Sequence, residues 1–355
     1  MLKRIEQTEA GGAELSRLAA AEADLMHLGD AEPGIRRLRA GRGFWYRMPD
    51  GSRVTSPDTL ARIRALAIPP AWTDVWISPL PNGHIQATGR DARGRKQYRY
   101  HTRWTACREE TKFSTLARFA DALPAIRSAV NRDLRRRGLP REKVVASVVW
   151  LLDNTMIRVG NAAYARDNKS FGLTTLRARH VEVDGSTLRF EFTGKSGKDW
   201  RIRLVDRRMA RILRQIQELP GQHLFQYVDQ DGTRRRIGST DINDYLREAS
   251  GEHFTSKHFR TWGATIHAAA LFAGIPAPET AAALKREANA VIDKVAARLG
   301  NTRAVCRSCY IHPRVFEEWE AGALAENLKR ARGRKRTAVG LDDEETTVRA
   351  WLMRD

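Results

Sequence analysis

A tyrosine near the C-terminal end of the chain, Tyr310, lies in a basic stretch and is a candidate nucleophile. The decapeptide Asn301-Thr-Arg-Ala-Val-Cys-Arg-Ser-Cys-Tyr310 joins two segments with helical patterns, and Arg303, Arg307 and Arg314 lie close by in sequence. A tyrosine hydroxyl has an ordinary pKa of about 10, so it attacks a phosphate at neutral pH only if cations surround it. The decapeptide by itself favours the alternative, an interfacial aromatic residue with one polar tip.

Residues that could hold or protonate a phosphate recur along the chain, at Arg158, Lys195, Arg260 and Asn301. Arg158 sits beside apolar neighbours at the predicted end of a helix, where it must be paired or face a cleft because burying it alone is costly. Lys195 lies in the turn Thr193-Gly-Lys-Ser-Gly-Lys198. This turn is no nucleotide-binding P-loop, because strands are predicted on both sides of it and the required upstream glycine is replaced by arginine.

The composition of the whole chain points to a polyanionic partner. The 355 residues are enough for two ordinary domains, and the formal net charge is +20 with 42% hydrophobic residues. A basic excess of this kind favours nucleic acid as the partner. An acidic membrane surface is the alternative, but the sequence shows no basic amphipathic helix with a bulky apolar face. No run approaches the roughly 18 apolar residues of a membrane span, and the N-terminus has no signal-peptide core.

The three cysteines predict an intracellular protein without a disulfide framework. Cys306 and Cys309 lie near His312, but a closed zinc site would need Cys107 or remote histidines as well. We therefore predict no metal site.

The order of patterns along the chain predicts an α+β protein with four segments. Residues 1–35 form a helical leader ending at Gly34, residues 36–103 a small β-rich domain, residues 104–322 a mainly helical domain, and residues 323–355 a mobile charged tail. Within the helical domain, apolar residues at helical spacing predict helices over 113–137 and 141–157. Alternating apolar residues over 179–205 predict a three-stranded antiparallel sheet whose second turn holds Lys195.

Two basic surfaces are candidates for DNA binding. In the β-rich domain, Arg95 and Lys96 can contact phosphates, Gln97 can read a base edge, and Tyr98 and Tyr100 share one strand face. The alternative for this stretch is a solvated basic hairpin. In the helical domain, Lys257 and His267 share a helix face with Arg260 and Ala264, and the alternative is an ordinary polar face.

Taken in order, these motifs resemble the small type IB DNA topoisomerases of bacteria and poxviruses. The resemblance is carried by Ile157-Arg-Val-Gly-Asn161, Phe171-Gly-Leu-Thr-Thr-Leu176, Phe192-Thr-Gly-Lys195, Lys257-x-x-Arg260-Thr261 and the spacing of Asn301 to Tyr310. It spans roughly residues 36–322. Each motif is weak alone, and the five in this order are specific.

The resemblance implies a β-rich N-terminal domain and a mainly helical catalytic domain that close as a C-shaped clamp around duplex DNA. It implies that Tyr310 attacks a phosphodiester and forms a 3′-phosphotyrosyl link, that the cut strand swivels to release supercoils, and that the freed 5′-hydroxyl religates. Arg158 and Arg260 would hold the phosphate oxygens, and Lys195 would protonate the leaving oxygen. ATP is not needed and a metal is not required, so no cofactor is expected.

One position of the family pattern is variable. The family has either His or Asn there, and this chain has Asn301. An amide can donate a hydrogen bond but cannot exchange a proton near neutrality, so we expect Asn301 to stabilise charge only. The expected partner is supercoiled duplex DNA, bound by a monomer in the bacterial cytoplasm at the nucleoid.

Two rival interpretations use similar residues. A tyrosine recombinase generally carries His at the position of Lys257 and has a helical N-terminal domain, so Lys257 and the β-rich domain favour the topoisomerase. A DNA-binding protein that keeps the fold without activity would not need all five catalytic residues.

Overall fold

The computed structural model describes residues 17, 20–21, 23–105, 113–332 and 339–354, and divides the chain into two compact units between Ser114 and Thr115. The predicted boundary lay earlier, at 103/104, and residues 106–112 next to it are outside the described residues. The first unit is built on a β-sheet and the second is mostly helical with a small antiparallel sheet. The predicted α+β class is therefore confirmed. No helix among the described residues is long and apolar enough to cross a membrane.

The first unit contains one five-stranded antiparallel sheet in the order β2-β1-β3-β4-β5, covered by the helix α1. These elements are β1 (Ile35–Ala40), β2 (Gly43–Arg47), α1 (Pro57–Ala65), β3 (Thr73–Ile77), β4 (Ile85–Arg90) and β5 (Lys96–Tyr100). Ile35, Ile77 and Ala87 are fully buried and pack with Ile63 of α1. The β-rich domain is as predicted, but its first strand begins at Ile35.

The predicted helical leader is wrong for its described second half. Residues 1–16, 18–19 and 22 are outside the described residues, and residues 23–34 form turns and extended chain. Met26 donates its amide to the Asn82 carbonyl and accepts from His84, and the Trp76 indole donates to the Glu32 carbonyl at 2.9 Å. Gly29, Pro33 and Gly34 disfavour a helix here, so the backbone pairs with the sheet unit instead.

The second unit contains the remaining elements. Its helices are α2 (Leu116–Asp133), α3 (Arg141–Thr155), α4 (Ala162–Asn168), α5 (Arg207–Gln217), α6 (Ser239–Ser250), α7 (Ser256–Ala273), α8 (Ala281–Leu299), α9 (Arg303–Cys309), α10 (Pro313–Glu320), α11 (Leu324–Arg332) and α12 (Asp343–Leu352). Its strands are β6 (Val181–Asp184), β7 (Thr187–Thr193), β8 (Asp199–Val205), β9 (Gln226–Val228) and β10 (Arg234–Arg236). Strands β6, β7 and β8 form the predicted antiparallel meander, so that prediction is confirmed.

Helix α3 ends at Thr155, two residues before the predicted end at Ile157. Met156 has φ 57° and ψ 17°, the left-handed conformation that closes a helix, and the Thr155 hydroxyl accepts the Ile157 amide at 3.2 Å. This early end turns the Met156 carbonyl out of the helix and places Arg158 on a loop.

A short 3₁₀ turn, Leu173–Thr175, holds the loop that carries Arg158. The Leu173 amide donates to the Arg158 carbonyl at 2.9 Å, and the Thr174 amide donates to the Val159 carbonyl at 2.7 Å. Gly172 lies so close that a Cβ atom there would be 2.5 Å from the Arg158 carbonyl oxygen and 2.6 Å from Gly160 Cα. Only glycine fits at this approach of two backbones.

The predicted mobile tail is wrong for its described part, although residues 333–338 are outside the described residues. Helices α11 and α12 pack against the rest of the second unit, and their residues Leu324 and Trp351 are 1% and 0% exposed. The acidic run that suggested a solvated segment begins α12 instead. Asp342 and Glu345 accept each other's backbone amides at 2.7 and 3.0 Å, which is a capping box.

We predict that Gly172→Ala lowers the free energy of unfolding by about 1–3 kcal/mol, since the added methyl group forces two backbone segments apart. The matched control is Gly274→Ala, whose Cβ would meet its nearest neighbour, the Leu271 carbonyl oxygen, at 3.6 Å. The control should stay within about 0.5 kcal/mol of the wild type in urea denaturation. Equal effects of the two substitutions would contradict the prediction.

Candidate active site

Tyr310 is half-buried at the C-terminal end of α9. Its amide donates to the Cys306 carbonyl at 3.1 Å, and its own carbonyl accepts from the Thr265 hydroxyl of α7 at 3.3 Å. Thr265 is fully buried and also accepts the His312 amide at 3.2 Å. These contacts fix the backbone on both sides of the candidate nucleophile.

The arginines nearest to Tyr310 in sequence are already paired with carboxylates. Arg303 makes a bidentate pair with Asp293, Arg307 lies 3.8 Å from Glu320, and Arg314 lies 2.6 Å from Glu318. Carboxylates therefore neutralise the charge of all three of these sequence neighbours. The cations that face Tyr310 come from other parts of the chain.

Arg260 is 3% exposed and lies with its guanidinium 5.1 Å from the centre of the Tyr310 ring. It donates to the carbonyl of Met156, just after α3, and to the Leu299 carbonyl at the end of α8 at 2.8 Å. The C-terminal ends of helices carry partial negative charge, so they suit a cation. Burial and the nearby Arg158 lower the pKa of Arg260 to about 10, which leaves it charged at neutral pH.

Arg158 is held by the segment that follows α8. It donates to the Gly300 carbonyl at 3.4 and 3.5 Å and makes a short hydrogen bond to Asn301 Oδ1. Burial lowers the pKa of Arg158, while the nearby Tyr310 raises it. Neither Arg158 nor Arg260 has a carboxylate partner among the described residues, so the cluster keeps its positive charge.

Two buried hydrogen-bond donors in this cluster have no partner among the described residues. They are Arg260 Nε and Asn301 Nδ2. The guanidinium of Arg158 can only donate, so its hydrogen bond to Asn301 must be accepted by the amide oxygen. The amide nitrogen of Asn301 is then left for another acceptor. Buried donors without partners are costly in a folded protein, and a tetrahedral anion could accept from both.

The pKa of Tyr310 is lowered from its ordinary value. Burial alone would raise it, but Arg260, Arg158 and Asn301 together outweigh burial because they favour the charged phenolate. The structure thus brings Arg158, Arg260, Asn301 and Tyr310 together and gives the hydroxyl a cationic setting.

The fifth candidate, Lys195, is exposed at the tip of the β7–β8 hairpin and makes no contact with the other four that the structure records. The hairpin is nevertheless attached to them, because Lys198 Nζ donates to the Asn301 carbonyl. Sequence reasoning missed Lys198. The turn Gly194-Lys-Ser-Gly-Lys198 contains two lysines, and their spacing does not say which one donates a hydrogen bond to the Asn301 segment. Lys198 makes this hydrogen bond, whereas Lys195 has no hydrogen bond or ion pair to another described residue.

Trp200 supports the same attachment. A Cβ atom at Gly300 would lie 2.5 Å from the Trp200 ring, and one at Gly194 would lie 2.6 Å from its Nε1. Trp200 therefore packs directly on the backbone of both the hairpin and the loop that leads to Asn301. It also stacks on Phe192 with ring centres 6.0 Å apart.

The predicted DNA-binding residues of the first unit are mostly held by carboxylates. Arg95 Nε donates to Asp91 at 2.8 Å and Gln97 Nε2 to the same carboxylate at 2.9 Å, while Lys96 lies 2.7 Å from Asp30. Sequence reasoning did not foresee these carboxylates.

The two tyrosines of this strand do share one exposed face, as predicted. Tyr98 is 42% and Tyr100 is 47% exposed, and their rings stack 5.7 Å apart. Strand β5 thus presents a flat aromatic pair beside its cations.

The predicted polar face of α7 is only partly accessible. Lys257 is exposed, but Arg260 and Ala264 are buried. His267 is half-buried beside a cavity of about 590 Å³ that Arg298 also lines. Burial, Arg298 and Lys294 lower the pKa of His267, so the neutral form is favoured. Lys257 and His267 therefore do not form one continuous exposed face with Arg260 and Ala264.

Cys306 and Cys309, the cysteines next to Tyr310, form no disulfide with another described residue. Cys306 is fully buried, and burial raises the pKa of its thiol to about 11, which disfavours the thiolate that a metal needs. No group of three metal-binding side chains occurs within the described ranges, and Cys107 is outside them.

Comparison with known proteins places the whole site within one family match. Residues 101–336 match the family model of the catalytic core of eukaryotic DNA topoisomerase I, and residues 43–91 match that of the N-terminal domain of bacterial DNA topoisomerase IB. The two matched regions fall in the helical and the β-rich parts of the chain respectively.

Three relatives carry names of the same kind. DNA topoisomerase 1B of Acanthamoeba polyphaga mimivirus is 33% identical over 285 residues, 78% of this chain and 85% of the viral protein. DNA topoisomerase 1B of Vaccinia virus (strain Copenhagen) is 28% identical over 109 residues, 30% of this chain and 34% of that protein. DNA topoisomerase 1 of Mycosarcoma maydis is 24% identical over 176 residues, 44% of this chain and 17% of that protein.

We predict that the pKa of Tyr310 is below 10 and that Arg158→Met raises it, because the variant removes a cation that favours the phenolate. The measurement is an ultraviolet titration of each protein against its Tyr310→Phe counterpart. Arg303→Met is the matched control, since Asp293 already neutralises that arginine. A pKa of Tyr310 that rises equally in both variants would contradict the assignment.

Proposed function

This chain belongs to the type IB DNA topoisomerase family, and we propose that it relaxes supercoiled duplex DNA through a covalent 3′-phosphotyrosyl intermediate. The observation that supports the mechanism best is that Arg260, which is buried, and Arg158, which is half-buried, lie beside Tyr310 without a carboxylate partner among the described residues. A scissile phosphate would supply the anion that this cluster lacks.

In the proposed reaction, the Tyr310 oxygen attacks the phosphorus atom of a DNA phosphodiester. A bond forms between this oxygen and phosphorus, and the bond from phosphorus to the 5′ oxygen breaks. The phenol releases its proton to solvent water, which the lowered pKa of Tyr310 favours, and the ammonium group of Lys195 gives a proton to the departing 5′ oxygen. Religation reverses each step after the cut strand has swivelled.

The remaining groups stabilise the charge that develops on the nonbridging oxygens. Arg158 and Arg260 donate from two sides, and Arg260 Nε and Asn301 Nδ2 are the donors that the structure leaves open. Losing one such preorganised donor typically costs on the order of 10²–10³ in rate. Asn301 has no proton to exchange near neutrality, so its proposed role is charge stabilisation alone.

The proposed reaction uses neither ATP nor a required metal. The phosphotyrosine bond conserves the energy of the phosphodiester, so religation needs no other source. We propose that the exposed tyrosine pair and the cations of β5 bind the duplex, and that Asp91 and Asp30 release Arg95, Gln97 and Lys96 on binding. A single chain supplies all five proposed catalytic residues, which supports action as a monomer on DNA of the bacterial nucleoid.

The wild-type protein should relax a supercoiled plasmid in steps in the presence of EDTA and without ATP, and Tyr310→Phe should not. The matched control is Tyr227→Phe, which removes a phenol hydroxyl from β9 and should leave relaxation unchanged. Gel electrophoresis of the products measures each outcome. Recombined plasmids would favour a recombinase instead, and a mobility shift without strand cleavage would favour a binding protein.

Asn301→His should keep most of the relaxation rate, because a neutral imidazole can accept from Arg158 with one nitrogen and donate to phosphate with the other. Asn301→Ala should be slower by on the order of 10²–10³, since it removes the donor and leaves Arg158 less restrained. The rate is measured at saturating protein, with Asn131→Ala as the exposed amide control. A near-normal rate for Asn301→Ala would refute this role.

A further inference from the structure

The C-terminal helix α12 lies outside the segment that matches the catalytic core, which ends at residue 336. We propose that α12 is a positioning element of the active site, in which Glu345 restrains the helix that carries Arg260 and Trp351 restrains the segment that follows Tyr310. The inference rests on the proposed function and assigns a role to a part of the chain for which the family motifs provide none.

At its first turn, α12 contributes the buried Glu345 to a charge cluster with the half-buried Arg127 and Asp153. Glu345 is 6% exposed and receives two hydrogen bonds from Arg127 of α2, both at 2.7 Å. Arg127 also donates to Asp153 of α3 at 2.8 and 3.0 Å and to the Gly340 carbonyl at 2.8 Å. All five N–H donors of this guanidinium are thus directed at acceptors, which fixes its orientation.

This cluster touches both segments that hold Arg260. The Trp262 indole donates to Glu345 Oε1 at 3.2 Å, and Trp262 follows Arg260 by two residues in α7. Asp153 precedes Met156, whose carbonyl accepts from Arg260, by three residues. Glu345 therefore connects the helix that presents Arg260 to the helix end that receives it.

At its last turn, α12 contributes Trp351, which is fully buried. The indole donates to Glu318 Oε2 at 2.7 Å, and the Arg314 guanidinium lies 5.2 Å from the ring centre. Arg314 pairs with the other oxygen of Glu318 at 2.6 Å. Trp351 thus packs against α10, the helix that begins immediately after the Tyr310 segment.

The contact of Trp351 reaches the backbone of Tyr310 through two residues. The Trp351 ring lies 6.2 Å from the ring of His312, whose amide donates to the Thr265 hydroxyl at 3.2 Å. The same hydroxyl donates to the Tyr310 carbonyl at 3.3 Å. Both ends of α12 therefore act on the distance between Arg260 and the Tyr310 oxygen, on which nucleophilic attack depends.

The test compares Glu345→Gln with the wild type in the full-length protein at 25 °C. The amide keeps the shape of the carboxylate and can still accept from Trp262, but it cannot accept both bonds from Arg127. Glu326→Gln is the matched control, because it breaks an exposed pair with Arg330 on the neighbouring helix α11. Trp351→Phe tests the other end of α12, because it keeps an aromatic ring but loses the indole N–H that donates to Glu318.

The measurements are the relaxation rate at saturating protein, the Kd for a duplex, the pKa of Tyr310 and thermal unfolding by circular dichroism. A shift of about 1 Å in a reacting group costs up to roughly 10²-fold in rate. We expect Glu345→Gln to slow relaxation by about 10- to 100-fold with Kd unchanged, and to raise the pKa of Tyr310 as Arg260 moves away. Glu326→Gln should match the wild type in all four.

A folded Glu345→Gln variant with wild-type relaxation and an unchanged pKa of Tyr310 would overturn the proposal. So would unfolding of both Glu345→Gln and Trp351→Phe at 25 °C, because α12 would then serve folding alone. A wild-type protein that fails to relax DNA would refute the proposed function. In that case the pKa of Tyr310 still decides whether Glu345 positions Arg260.

Discussion

The site depends on two guanidinium groups, those of the buried Arg260 and the half-buried Arg158, which have no carboxylate partner among the described residues. Taking a charge out of water is costly, and here the cost is offset by backbone carbonyls at the ends of two helices. Met156 and Leu299 accept from Arg260, and Gly300 accepts from Arg158. Carbonyls orient a guanidinium without neutralising it, so the positive charge remains for an anion and lowers the pKa of Tyr310.

Arg127 shows what the same residue type does when it is fully satisfied. Two carboxylates and one carbonyl take all of its donors, so it holds three helices together and has nothing left for a ligand. Arg260 has an unpaired buried Nε instead. The two arginines thus differ in their partners, because Arg127 has no donor left and Arg260 keeps one open.

Small residues and one amide bring these groups to the required distances. Glycine at positions 172 and 300 lets backbone meet backbone and indole at distances that a Cβ atom would block. Asn301 joins three parts of the site, because its side chain accepts from Arg158, its carbonyl accepts from Lys198, and its amide nitrogen stays open. The hairpin with Lys195 is thus attached to the site while Lys195 itself stays exposed.

The sequence by itself determined the fold class, the antiparallel meander and the residue types of the site. Each of these follows from periodicity within one segment or from the order of short motifs, and both can be seen without knowing how remote segments pack. The capping box at Asp342 and Glu345 was also readable, but the acidic run around it favoured a solvated tail. Tertiary structure alone decided which partners hold the cations near Tyr310, since Arg303 pairs with Asp293 whereas Arg158 donates to the Gly300 carbonyl 142 residues away. It also decided which lysine is bound and where α12 packs. Such choices depend on distances between remote segments, and no local pattern encodes them.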